Sequence, residues 1–390
     1  MTNRRKFLQL SGILGAGLLT GISSACTSPK LSQKYIDRNF IASNKFKLYP
    51  KLEISMDRIV KETVGLRPFR KKGFRVEKES LGNKTIIHNY GHGGSGWSLS
   101  WGTAKLAVDL AQTTGEKSFA IMGSGIIGIT TARTLQEHGF NATIYTKALP
   151  PLVTSSKATG TWSPASRLIE TQYLTPEFEE QWKKAAMYSF RTYQNLLGFN
   201  DIVTWIDNYI VREKFSSEPE PLDSDGGKFA RLRIPGLLPE RHVLEQRDHP
   251  FHVDKVVKQT TLVFNIPSYI NKHLNDFLAF GGKVVIKEFK SQEDIDALAE
   301  KCVVNCTGLG SMELFRDNDM YPIAGQLSFL IPQSDFNYRI STENGYAIPR
   351  KDGIILGGNA LEGHWSEAPD RAQTEKVVHA LTEVMHRLRA

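Results

Sequence analysis

Two glycine-rich stretches carry the chemistry this sequence is equipped to do. The first, HNYGHGGSGWS (88–98), places Gly91, Gly93, Gly94 and Gly96 in one short turn ahead of a helical pattern. Backbone without side chains lets a flat ring lie against the main chain, with amide donors aimed at its carbonyl oxygens. A helix N-terminus beside that ring favours the charge it gains on reduction. The second stretch, GSGIIG, supplies Gly123, Gly125, Ile126, Ile127 and Gly128. Its glycines allow a tight turn, close approach of a pyrophosphate, and close helix–strand packing. Together the two stretches predict a dinucleotide cofactor with a redox-active ring.

The elements around these turns follow from periodicity. KSFAIMGSGIIGITTARTLQEHGFNATIYTK reads as strand, turn, helix and strand, a complete βαβ opening. That second strand should end on an acid for the ribose hydroxyls, yet it ends Tyr145-Thr146-Lys147. The ribose then falls to Thr146, to backbone groups or to a distant acid; a cationic Lys147 also suits a 2′-phosphate, as in NADP. TIIHNY predicts a short strand, and SWGTAKLAVDLAQTTG a helix with Gly115 past its last turn. Residues 46–64 suggest short edge strands, and GLRPFR (65–70) a basic connection. Downstream, helices are expected around EEQWKKAAMYSFRTYQNLLG, IPSYINKHLNDFLAF and EDIDALAEK, and a surface loop over 218–227. KVVI, CVVNCTG, GQLSFL and YAIPRKDGIILGG read as strands, the last with a turn at Lys351-Asp352-Gly353. RAQTEKVVHALTEVMHRL is a closing amphipathic helix.

With 390 residues, 40% of them hydrophobic, the chain can bury a large core and is expected to form two domains. The net charge is +8, but Arg4, Arg5 and Lys6 stand in an acid-free N-terminus, which leaves +5 for the remainder. No basic run accompanies it, so the balance suits an anionic or zwitterionic substrate and argues against nucleic acid. TNRRKFLQLSG followed by ILGAGLLTGI resembles a twin-arginine export signal, too short for the ~20 residues of a membrane span. Cys26 resembles a lipoprotein acceptor, giving a periplasmic or membrane-anchored enzyme. Cys302 and Cys306 lie four apart on a strand pattern, ~13 Å by strand rise, too far for a disulfide. The histidines are scattered without metal-ligand spacing, so no metal is expected.

HNYGHGGSGWSLSWG, GLRPFR, VVNCTG, IILGG and GSGIIG resemble the D-amino-acid oxidase family of FAD enzymes, over about residues 60–390. In that family the GSGIIG-type element opens the chain and the HNYGHGG-type element closes it. Here the order is reversed, with 18 residues between Ala104 and Gly123, so the chain is similar to a circular permutant bridged at QTTGEK (112–117). The resemblance implies a doubly wound (Rossmann-type) α/β FAD-binding domain and a second domain with a mixed, largely antiparallel sheet. The expected division is an export signal (1–26), a linker (27–58) and FAD-binding segments at 59–170, 255–310 and 354–390. Substrate-domain segments fall at 171–254 and 311–353.

Carried over by motif, the resemblance places the substrate-carboxylate arginine on Arg67 and its assisting tyrosine on Tyr346. The carbonyl that accepts from the substrate amine falls on Gly94, and Arg70 is structural. FAD contacts fall on Gly93, Gly94, Ser95, Gly96, Trp97 and Ser98, with Ser98 near the flavin C2 carbonyl. Others fall on Thr154, Ser155, Gly160, Thr161 and Trp162, beside Thr146, Lys147 and the fingerprint. A second active-site tyrosine of some members is Thr342 here, which alters the width of the pocket. The implied reaction is hydride transfer from a D-amino acid to flavin N5 without a general base, then reoxidation by oxygen. The products are a 2-oxo acid, ammonia and peroxide. Alternatives are a membrane-anchored dehydrogenase passing electrons to a quinone or cytochrome, a glycine- or sarcosine-type amine oxidase, and a non-enzymatic flavin-binding lipoprotein.

Overall fold

A parallel sheet built on alternating buried faces carries both glycine turns. The computed structural model describes residues 49–199, 201–214 and 226–389; the expected export signal, Cys26 and most of the expected 218–227 loop lie outside them. Tyr49–Ala390 form one compact unit containing two sheets. Along the chain come β1 (Ile59–Arg70), β2 (Lys78–Leu81), β3 (Lys84–His88), α1 (Gly96–Gln112), β4 (Ser118–Met122), α2 (Ile126–Glu137) and β5 (Asn141–Thr146). Then follow α3 (Pro176–Gln194), β6 (Val203–Val211), β7 (His242–Glu245), β8 (Lys255–Phe264), α4 (Ile266–Ala279), β9 (Lys283–Ile286), α5 (Gln292–Asp296), β10 (Cys302–Asn305) and α6 (Ser311–Leu314). The chain ends with β11 (Met320–Leu330), β12 (Arg339–Thr342), β13 (Gly345–Arg350), β14 (Gly353–Gly357), β15 (Leu361–Glu362) and α7 (Arg371–His386).

The first sheet runs β2-β3-β10-β4-β5-β9, parallel except for its β2 edge. Adjacent residues point to opposite faces. Ile87, Ile121 and Val304 meet α1, α2 and Phe277 of α4 on one face, while Ile86, Met122 and Val303 meet Ile295, Leu298 and Leu314 on the other. This is the doubly wound arrangement expected of the fingerprint. Cys302 and Cys306 are both free and buried.

The second sheet, β1-β11-β14-β13-β12-β6-β8-β7 with β15 on β11, is antiparallel except between β12 and β6. GLRPFR is no connection: it is the second half of β1, paired to β11 from Ile59 to Arg70. Pro68 lacks a backbone donor, and β1 tolerates it as an edge strand. The expected segment boundaries also shift, since β1, β8 and β14 all run in this sheet. The expected linker shortens as well: Leu52 is fully buried, with Tyr49, Ile54 and Met56 packed on the same cluster as Val377, Leu381 and Met385 of α7. The expected EDIDALAEK helix is a single turn, α5.

Helix α1 is locked in place by its contact with α3. A Cβ at Gly102 would sit 1.9 Å from the Ala185 carbonyl oxygen, and the Gly102 N–H donates to Ser189 Oγ at 2.8 Å. No side chain fits there without moving one helix. Gly102→Ala is expected to cost at least ~1–3 kcal/mol as an overpacked contact, read as a fall in melting temperature of several degrees. An unchanged melting temperature would show that the two helices can part.

Candidate active site

A cavity of about 1370 Å³ opens between the two sheets. On its nucleotide side β4 delivers Gly123 into a left-handed turn (φ 106°) that only glycine adopts without strain. A Cβ at Gly128 would lie 2.0 Å from the Gly123 carbonyl oxygen, so that glycine serves helix–strand packing and lies behind the wall. Gly123, Gly125, Ile126 and Ile127 line the cavity, and the N-cap Gly125 leaves the first turn of α2 without a side-chain cap. Ser155 Oγ accepts from the Ile126 N–H at 2.9 Å, which sets a hydroxyl at the helix N-terminus beside Thr154. Such an end favours phosphate.

On the ring side, Gly93, Gly94, Gly96 and Trp97 line the same cavity, with Gly160, Thr161 and Trp162 facing them. The bare backbone has a packing reason too. A Cβ at Gly93 would come within 1.9 Å of the Arg167 carbonyl oxygen, and the Gly94 N–H donates to Ser166 O at 3.0 Å. Ser95 and Ser98 differ from expectation. Both are fully buried; Ser95 Oγ donates to Ser166 O at 3.1 Å, and Ser98 Oγ accepts from the Ser163 N–H at 2.7 Å. They pin the 160–167 segment to α1 and do not reach the cavity. Thr146 and Lys147 line the wall at the end of β5.

The wall built by the second sheet is set by strand register. On β1, Arg67 and Arg70 are three apart, so they face opposite sides of the sheet. Arg70 is held by Asp317 (2.8 Å) and Asp319 (3.4 Å) outside the cavity. Arg67 faces in, and its guanidinium lies flat over Gly325 of β11, where a Cβ would be 2.2 Å from it. Tyr346 on β13 lies the same way over its partner Gly357 on β14, with 2.4 Å from a Cβ there to the phenol oxygen. Gly357 pairs with the register next to Gly325, so the two polar ends occupy diagonal positions ~7–8 Å apart on one face. Tyr346 Oη sits 2.8 Å from Thr159 Oγ1, and the Arg339 guanidinium stacks on its ring at 5.2 Å. Thr342 lines the cavity with its hydroxyl turned to Gly345 O. Gly325 and Gly357 were absent from the sequence-derived site because their part depends on register across three strands.

Titration offers the site no acid–base group among the histidines of the glycine turn. His92 is fully buried, stacks on Phe74 and bonds Thr103 Oγ1 at 3.0 Å; burial pushes its imidazole down to about 3. Burial also lifts the Cys306 thiol beside the fingerprint to about 12, so it stays protonated and inert.

These features define a nucleotide-dependent redox enzyme, and comparison with known proteins identifies its class. The family model for FAD dependent oxidoreductases matches residues 18–110 and 118–390. The chain belongs to that family: it is an oxidoreductase with FAD as its cofactor, and the glycine cradle beside the N-terminus of α2 suits that group. It is 26% identical over 273 residues to a D-amino acid oxidase of Dugesia ryukyuensis, covering 69% of this chain and 78% of that one. A D-amino-acid oxidase of Rubrobacter xylanophilus is 27% identical over 278 residues, 69% and 77% of the two chains. Among solved structures, iminodiacetate oxidase from Chelativorans sp. BNC1 superposes with a TM-score of 0.50 at 14% identity, covering 69% of this chain and 79% of that one.

His92 ties this turn to pH. Its folded pKa lies below the ~6.5 of an exposed imidazole, so its stabilising effect is full above pH 6.5 and is lost as pH falls toward 3. Near pH 5 the unfolded imidazole is protonated and the folded one is not, a cost of about 2 kcal/mol. His92→Gln should therefore lose about 2 kcal/mol less than the parent between pH 8 and pH 5 in urea unfolding. Equal losses in both proteins would place the acid sensitivity elsewhere.

Proposed function

We propose that this enzyme oxidises a D-amino acid to the imino acid, which water hydrolyses to the 2-oxo acid and ammonia, while oxygen takes up the two electrons and leaves as hydrogen peroxide. The observation that carries this reading is the convergence of Arg67 and Tyr346 over two glycines on the wall facing the Gly93–Gly94 turn. A planar guanidinium makes two parallel bonds to a carboxylate, which orients the α-carbon as well as binding it. Tyr346 adds a third bond: its hydroxyl donates to the carboxylate while accepting from Thr159 Oγ1. The amine then faces the Gly94 backbone. Bound along the glycine cradle, FAD supplies a two-electron hydride acceptor. The chain's own part is to align the Cα–H bond and to exclude water, since no titrating side chain is needed at the α-carbon. Arg167, Arg231, Arg233, Arg241 and Arg339 also line the cavity, a field that suits an anion.

The D-amino-acid oxidases among its relatives favour this substrate over a glycine- or sarcosine-type amine. Oxygen as acceptor is read from the same relatives; a quinone or cytochrome is the rival. Anaerobic bleaching of the flavin by a D-amino acid, followed by colour return and peroxide on admitting air, is the expected result. Bleaching that only a quinone or cytochrome reverses would favour the dehydrogenase. No bleaching by any D-amino acid, glycine or sarcosine would remove the reading. Arg67→Ala removes a charge-assisted contact of ~2–5 kcal/mol, so kcat/KM should fall about 30-fold to several thousandfold with FAD content unchanged. Arg67→Lys should recover only part. Wild-type kcat/KM in Arg67→Ala would move the role to another cation.

The reversed motif order supports a circular permutation within this family. The end of α1 reaches β4 through residues 113–117 alone, where Gly115 takes φ 76°. At the other junction Thr382 Oγ1 of α7 donates to Ile54 O at 3.3 Å, and Leu388 packs beside Tyr49, Ile54 and Met56. The end of α7 and the start of the sheet thus lie together. A chain opened at 113–117 and joined from 389 to 49 is expected to fold and bind FAD. An insoluble or FAD-free product, with linkers of several lengths, would count against the permutation.

A further inference from the structure

The end of β5 lacks the carboxylate that a doubly wound nucleotide fold uses there to accept from the adenosine ribose hydroxyls. Thr146 does not replace it. The residue is buried, and its hydroxyl donates to Ala148 O at 2.8 Å and lies 3.1 Å from Ser124 Oγ. Lys147 offers only donors, whereas the ribose diol needs acceptors for its two hydroxyl protons. The neighbouring strand brings an acid to the same place. β9 runs parallel to β5 with Thr146 opposite Ile286, and the Lys287 N–H donates to Thr146 O at 2.9 Å. One residue further, Glu288 reaches the cavity wall with its Oε1 3.8 Å from Lys147 Nζ.

The other acids on this wall stand elsewhere. Glu367 pairs with Lys157, Glu343 sits in the β12–β13 turn of the second sheet, and Glu313 follows β10 on the far side of β4. The Lys147–Glu288 pair is long and largely exposed, at 74% and 52% of side-chain surface, so it holds the carboxylate loosely. Two acceptor oxygens on one carboxylate match two vicinal hydroxyls.

We propose that Glu288, delivered by β9, is the carboxylate that binds the adenosine ribose of FAD, with Lys147 steering it from the position an acid would normally hold. The two charges have in effect exchanged strands. This rests on FAD as the cofactor and is independent of the substrate assignment.

The test is FAD affinity of the deflavinated protein, followed by quenching of flavin fluorescence. Glu288→Gln is expected to weaken FAD binding about 10- to 100-fold, the loss typical of hydrogen bonds to a charged acceptor. Glu288→Lys should weaken it further. The exchange variant, Lys147→Glu with Glu288→Lys, returns an acid to the end of β5 and should bind FAD at least tenfold more tightly than Glu288→Lys alone. Because the exchange also restores the 147–288 ion pair, urea unfolding of the apoprotein is measured beside it. A purely structural role would move apoprotein stability in step with FAD affinity, whereas ribose binding leaves apoprotein stability unchanged. FAD affinity of Glu288→Gln within twofold of wild type, or an exchange variant no better than Glu288→Lys, would overturn the proposal. Failure of the D-amino-acid reading would show instead as normal FAD affinity without flavin bleaching.

Discussion

Close approach of backbone to its neighbours is the constraint on which this active site depends. Gly325 and Gly357 leave two bare places on a sheet face, and only there can Arg67 and Tyr346 lie flat rather than stand upright. An upright guanidinium on an edge strand would extend into solvent or across the cavity. Laid over a glycine, it is held by the sheet and aimed along it, with a hydrogen bond of 3.5 Å to Ile323 O. Any side chain at 325 would displace Arg67, and any at 357 would displace the Tyr346 phenol. The specificity of the pocket is therefore written partly in residues that have no side chain.

The same constraint organises the nucleotide side. Gly128 lets α2 approach β4, Gly93 lets the Gly91–Gly96 turn approach residues 166–167, and Gly102 lets α1 approach α3. Each contact fixes one wall relative to another, so the cavity's shape is set by main chain and not by rotamers. Helix α1 joins the two halves of the site. Its N-terminus faces the cavity, and its Ser98 hydroxyl holds the Ser163 N–H beside Trp162. Trp97 Nε1 also donates to Ser155 O at 3.0 Å, linking the ring-side helix to the hydroxyl that caps the phosphate-side helix.

Local signals made the nucleotide half legible in sequence. GSGIIG, its flanking strand and helix, and the HNYGHGG turn each rest on contiguous residues, and all appear where periodicity placed them. The substrate half was less legible because its sheet is assembled from distant segments. β6 and β8 pair with each other, and β6 also with β12, across long stretches of sequence. Within GLRPFR, a proline and two arginines hid a strand whose edge position excuses the proline. Ser95 and Ser98 were assigned to the cofactor by motif, but their i, i+3 spacing at the start of α1 puts both on one buried face, against residues 163–166. The linker was expected to run to residue 58, and 46–64 to hold short edge strands; Leu52, with Tyr49, Ile54 and Met56, is instead packed on a core cluster with α7, from the far end of the chain.

Charge and titration then divide the labour between protein and cofactor. The histidine nearest the ring-side glycines is kept neutral by burial, and Cys306 is kept protonated. Neither can serve as a base near neutral pH. The charges lining the cavity include the guanidinium groups of Arg67, Arg167, Arg231, Arg233, Arg241 and Arg339, which do not titrate in proteins. Guanidinium groups clustered on this wall can bind and orient an anion. Under the proposed reading, hydrogen leaves the α-carbon with its electron pair, and the group along the glycine cradle would accept that pair. The absence of an acid at the end of β5 has a counterpart one strand over: Glu288 follows β9 of the nucleotide sheet, whereas Arg67 and Tyr346 stand on strands of the other sheet.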